Sequence, residues 1–187
     1  MASVDNYDEE LPAGASTLQP TDKVLVHEAS SSLKKYLTGD LTVRGAPGIV
    51  NTILTVLPLT AAAHGNKFVC VSSTASTAIT LPQATGTGNK YRLQFQVAAT
   101  GTASTIKVAN STDIMQGIVL APASTTVGLG FWATSATSDT LTLNGGTTGG
   151  KIGDWYEFTD ILTGFWLVNG MTQPTVTNMA TPFSATV

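Results

Sequence analysis

Residues 91–97 constrain the fold more than any other stretch. Tyr91, Leu93, Phe95 and Val97 alternate with Arg92, Gln94 and Gln96, the two-residue period of a strand with one buried face. Gly86-Thr87-Gly88 precedes the alternation. Ala98 to Ala103 separates it from a second short apolar run, Thr105-Ile106-Lys107-Val108. Glycine takes positive φ at little steric cost, so these separators turn tightly. Residues 79–117 therefore predict short strands joined by Gly/Thr turns, with no room for a helix.

The same punctuation runs through the rest of the chain. Ile49 to Leu59 is expected as one strand, with Pro58 near its end or on a sheet edge. Ala61-Ala62-Ala63-His64 predicts one helical turn ending at Gly65. Lys67–Ser72 and Ala78–Leu81 predict strands, the second closed by Pro82. In Thr125–Ala133, Val127, Leu129 and Phe131 share one face, with Gly128 and Gly130 on the other. Asp139–Asn144 alternates again, and Asn144-Gly145 is a hairpin turn signal. Gly153–Phe158 and Gly164–Val168 predict a last pair around a Thr159–Thr163 loop. Short strands at roughly 8–12 residue spacing imply an all-β fold, a sandwich or barrel of jelly-roll-like kind. No repeat of fixed period is evident.

Residues 1–45 read differently. Asp5, Asp8, Glu9 and Glu10 have no basic neighbour within residues 1–20, and Pro12, Gly14 and Pro20 break regular structure. This predicts an extended N-terminal arm, either solvated or ordered on a partner. Lys23–Glu28, the serine turn 30–32 and Leu33–Leu37 predict a β-hairpin inside it, with a short helix capped by Ser30 as the competing reading. The arm gives way to the main domain, 46–187, at Gly45-Ala46-Pro47-Gly48. Leu18, Val24, Val26, Leu33, Tyr36 and Leu37 are its candidate partner-binding residues.

Composition narrows the function. Charged residues make up 11% of the 187, against the usual ~25%. Such a surface repels little and packs closely against neighbours. The net charge of −3 and the absence of a Lys/Arg cluster argue against nucleic acid as a partner. Nothing predicts a membrane span or a signal peptide: Ile49–Ala63 is broken by polar residues and Pro58, and the N-terminus is acidic.

No motif predicts catalysis, a cofactor or a metal site. Gly145–Lys151 fits most of a phosphate-binding loop, but Ile152 stands where Ser or Thr should hold magnesium. A flexible hairpin loop is expected there instead. Asp154, Glu157 and Asp160 invite comparison with paired carboxylates, but solvated strand and turn positions are the expectation. Cys70 lies in the apolar run Phe68–Val71 and reads as a buried small hydrophobe. His64 precedes that strand, and His27 has no second histidine nearby. Asn110-Ser111-Thr112 matches a glycosylation triplet and is taken as accidental. Trp132, Trp155 and Trp166 are expected in the core, the alternative being a sugar-stacking surface with Tyr156.

Three stretches resemble structural proteins of tailed bacteriophages. They are Thr21–Val26 running to Leu33-Lys34-Lys35, Ile79–Gly88 with Ile106–Ala109 and Asp113–Gly117, and Gly153–Phe158 with Gly164–Val168. Within that group the chain is similar to head-decoration, or cement, proteins. The resemblance implies a non-enzymatic homotrimer that binds the major capsid protein on the outer surface of the phage head and stabilises the lattice. A short fibre or spike with a receptor- or glycan-binding β head is the alternative. The resemblance brings no residue-level binding map.

Overall fold

The computed structural model describes residues 48–100, 103–122, 129–175 and 179–187. These residues form twelve strands and one helical turn, so the chain is all-β there. The predicted arm and its hairpin lie outside the described residues.

The first six strands alternate between two sheets. β1 (Ile49–Thr52), β3 (Lys67–Val71) and β5 (Lys90–Phe95) lie side by side in one sheet. β2 (Val56–Pro58), β4 (Ala78–Thr80) and β6 (Ser104–Lys107) lie side by side in the other. Every neighbouring pair within these two sets is parallel. Parallel neighbours need a crossover, and here each crossover is a strand of the opposite sheet. The short strands expected to be joined by tight turns thus wind as a coil between the two sheets.

The expected single strand from Ile49 to Leu59 is likewise two strands. The chain turns a corner at Ile53-Leu54, where Thr52 Oγ1 accepts the Leu54 amide at 3.1 Å. β1 joins one sheet and β2 the other. Helix α1 (Ala61–His64) makes the predicted turn before β3. Thr60 Oγ1 accepts the Ala63 amide, and His64 Nδ1 accepts the Thr60 amide in return, a reciprocal cap.

The remaining strands close both sheets. β7 (Ile114–Pro122), β8 (Leu129–Ala133), β10 (Trp155–Leu162) and β11 (Phe165–Met171) complete a seven-stranded sheet ordered β1-β3-β5-β10-β11-β7-β8. β9 (Thr140–Leu143) and β12 (Phe183–Ser184) complete a five-stranded sheet ordered β12-β9-β6-β4-β2. Both sheets are mixed, which departs from the antiparallel pairing of a jelly roll.

Three local expectations change. β7 continues through Gly117 instead of ending there. β10 and β11 pair antiparallel as expected, but β10 extends through Thr159–Leu162, and the turn is Thr163-Gly164. β9 and β10 belong to different sheets, so Asn144-Gly145 opens an inter-sheet loop and not a hairpin.

One hydrophobic cluster joins the inner faces. Val69, Leu93, Phe95, Met115, Tyr156, Phe158, Trp166 and Val168 come from the seven-stranded sheet. Leu57, Ile79, Ile106, Leu141 and Leu143 come from the five-stranded one. Phe95 meets Tyr156 edge-to-face at 6.1 Å, and Tyr91 meets Trp166 at 5.6 Å. Such pairs contribute roughly 0.5–1.5 kcal/mol beyond their buried area.

Candidate functional site

Because Tyr91, Leu93 and Phe95 face the core, their neighbours Arg92 and Gln94 face away from it. Strand register extends that outer face across the whole seven-stranded sheet. One row runs Ile49, Phe68, Arg92, Glu157, Asn169, Ile118, Ala133. The next runs Asn51, Cys70, Gln94, Trp155, Met171, Leu120, Phe131. The face has two halves of different character.

Over β11, β7 and β8 the outer face is uncharged and mostly apolar, with Gln116 and Asn169 as its polar members. Leu167, Ile118, Leu120, Met171 and Phe131 are exposed, and Phe131 is 67% exposed at the sheet edge. Burying such side chains stabilises a contact by roughly 25 cal/mol per Å². Contiguous exposed apolar patches of this kind mark interaction surfaces.

Over β3, β5 and β10 the face carries charge. The Arg92 guanidinium lies 4.9 Å from the Phe68 ring centroid and 4.5 Å from that of Trp155. The two rings hold its plane in place. Lys90 pairs with Glu157 at 3.5 Å, the only ion pair among the described residues. A shallow groove of about 280 Å³ is lined by Asn66, Lys67, Phe68, Lys90, Arg92 and Glu157.

The groove is built from local rules. Asn66 takes positive φ (56°) after α1, a conformation asparagine tolerates. Its amide group donates to Asn89 Oδ1, and its oxygen accepts the Lys90 amide. Lys67 Nζ donates to the Ala62 and Ala63 carbonyls at the end of α1. Both residues are thereby fixed beside β5.

The acidic residues behave differently from the expectation of solvated positions. Asp154 and Asp160 are 1% and 3% exposed. Asp154 accepts hydrogen bonds from the Gly150, Lys151 and Gln173 amides and from Thr172 Oγ1. Asp160 accepts the Thr85, Gly86 and Thr87 amides and the Thr87 hydroxyl. Burial alone would raise the Asp160 carboxyl. The hydrogen bonds from Thr87, Gly86 and Thr85 outweigh it and hold the group below its usual range. Asp113 accepts the Ala84 amide, and Asp139 accepts the Thr186 and Val187 amides. Glu157 alone keeps the outward position read from the sequence.

The other candidates resolve plainly. The Gly145–Lys151 loop is tied down by Asp154, by Gly145 N donating to Gly149 O and by Ala99 N donating to Gly150 O. It closes an inter-sheet connection and is no free hairpin loop. Cys70 is buried, with a free thiol. His64 is buried, and burial, with Lys67 nearby, lowers its pKa. Burial, then Asp154, pushes the Tyr156 phenol far up, and its hydroxyl donates to Thr172 Oγ1 at 2.8 Å.

Asn110 Oδ1 accepts the Thr112 and Asp113 amides, so the glycosylation triplet is a turn. Trp166 is in the core and Trp132 packs against it, while Trp155 lies on the outer face beside Arg92. Among the described residues no group of His, Cys, Asp and Glu could hold a metal. No helix among them is long and apolar enough to cross a membrane.

Leu18, Val24, Val26, Leu33, Tyr36 and Leu37 lie outside the described residues. The outer sheet face was missed as a site. The signal for it was the pairing of Arg92 with the rings at 68 and 155, which needs the strand register. Comparison with protein-family models, with curated proteins and with solved structures finds no match to this chain.

Proposed function

We propose that this chain is a non-enzymatic contact module of a bacteriophage virion, a head-decoration protein that braces the capsid lattice as a homotrimer. In this reading a β-sandwich body with an N-terminal arm binds the major capsid protein from outside. The observation that carries the contact role is the uncharged, mostly apolar face over β11, β7 and β8. The virion assignment rests on the resemblance of the three stretches named above. Many modest contacts repeated by symmetry add through avidity, so no single deep pocket is required.

The test is sedimentation with undecorated phage heads. The intact chain is expected to co-sediment, and Phe131→Glu with Leu120→Glu to lose at least about tenfold in affinity, since a charge buried at a contact is costly. Both variants lie on the surface, so circular dichroism should match the parent. Unchanged binding would remove this face from the mechanism. Failure of the intact chain to bind any head, together with glycan binding, would favour the fibre or spike reading. Against that reading, Phe68 and Trp155 already stack on Arg92 and offer less ring surface to a sugar.

A further inference from the structure

We propose that the groove at Arg92 receives the acidic stretch Asp5–Glu10 of a second copy of this chain. The inference rests on the assembly reading above and names the contact that would link its copies.

The groove asks for a carboxylate. A guanidinium clamped between two rings loses little further freedom on binding, and its planar fork matches a carboxylate bidentately. Among the described residues the only ion pair joins Lys90 to Glu157, so Arg92 has no carboxylate partner there. Glu157 is the one acid in the groove, against Lys67, Lys90 and Arg92.

The described body does not supply the missing charge. From residue 48 onward the acids are Asp113, Asp139, Asp154, Glu157 and Asp160. The four aspartates are buried and engaged with backbone amides. Lys67, Lys90, Arg92, Lys107 and Lys151 all reach solvent. The complementary charge lies in the N-terminal sequence, where Asp5, Asp8, Glu9 and Glu10 stand without a Lys or Arg in residues 1–20.

Chain length permits a second copy, and symmetry favours one. Gly48 leads into β1 at the rim of the groove: its carbonyl accepts the Phe68 amide at 3.0 Å, and Ile49 pairs with Phe68. The sequence between Glu10 and Pro47 could span up to ~120 Å when extended, enough to reach a neighbour. An arm-to-groove contact is also heterologous. Such contacts form a ring when the rotation between copies closes, as a trimer requires, whereas a self-complementary face gives a dimer.

Zero-length carbodiimide coupling tests this on the purified full chain, without heads, so its failure is distinct from failure of the decoration reading. Isotope-labelled and unlabelled chains are mixed, coupled and analysed by mass spectrometry. Lys67 or Lys90 is expected to join Asp5, Asp8, Glu9 or Glu10 in pairs of mixed isotope. Yield should fall about tenfold at about 0.5 M salt, where exposed charges are screened. It should rise in Glu157→Gln, which frees Lys90. It should vanish when the four N-terminal acids are changed to their amides, a change outside the described residues. Pairs of one isotope only, coupling of these lysines only to other carboxylates, or an oligomeric mass unchanged by the four amide substitutions would overturn the proposal.

Discussion

The Asp160 carboxylate accepts the Thr87 hydroxyl at 2.6 Å and the Thr87 amide at 3.0 Å, bridging 73 positions of sequence. With the Thr85 and Gly86 amides it holds the loop before β5 against β10. Asp113 fixes the adjacent Ala84 amide. Four consecutive amides thus end on two buried carboxylates, and neither carboxylate pairs with a cation in the structure described. Asp160→Asn puts an NH₂ where an acceptor is needed. It should cost roughly 2–4 kcal/mol in urea unfolding, since hydrogen bonds to a charged group are strong and orphaned buried donors are costly. A loss under about 0.5 kcal/mol, within the range of ordinary surface substitutions, would contradict this role.

Acidification should weaken the fold in two stages. Both His64 and Asp160 have folded pKa values below their ordinary values of 6.5 and 3.8. A depressed folded pKa means the unfolded chain binds the proton more readily, so stability falls with pH. His64 contributes fully above about 6.5, and its contribution is lost as pH drops through its lowered folded pKa. Asp160 follows below about 3.8. Thermal unfolding across pH should show both stages, with His64→Asn removing the upper and Asp160→Asn the lower. Curves that superimpose on the parent would contradict the assignment.

Gly117 sits inside β7 with φ +147°, and a Cβ there would fall 1.9 Å from the Val168 carbonyl oxygen. β7 and β11 are parallel at this point, with Gly117 opposite Val168. Only glycine allows that approach. Gly117→Ala should destabilise by at least about 3 kcal/mol, through strain and displacement of a central strand pair. Denaturation at parental stability would mean that the strands are not in this register.

Phe95 is buried at the end of β5 against Tyr156. Phe95→Ala should cost roughly 3–5 kcal/mol by the cavity it leaves. Arg92→Ala, three positions away on the outer face, should cost under about 1 kcal/mol, being one half-buried cation stacked on rings. Equal costs for the two would show that the faces of β5 are assigned wrongly.

Some of this was legible in the sequence. Tyr91-Leu93-Phe95 announces its inner face by period alone, and Ala61–His64 its turn by the break at Gly65. The parallel coil was not legible, because apolar residues recur throughout Ile49–Leu59, with only Asn51, Thr52 and Thr55 between them and no glycine before Pro58. Nothing in such a run marks that Ile53 and Leu54 form an exposed corner. Asp154 and Asp160 looked solvated because carboxylates usually are. Their partners are backbone amides and threonine hydroxyls, and those of Asp160 lie in a loop distant in sequence. The apolar outer face was hidden because Leu120, Phe131 and Met171 sit on three different strands. Only the register brings them into one row.

Hydroxyl-radical footprinting of the intact chain, free and bound to undecorated heads, tests the contact role most directly. Phe131, Met171 and Leu120 should be labelled in the free protein and strongly protected on the head, while Lys107-side residues of the five-stranded sheet keep their labelling. Equal labelling of all three in both states would contradict an outer face that exists to be covered.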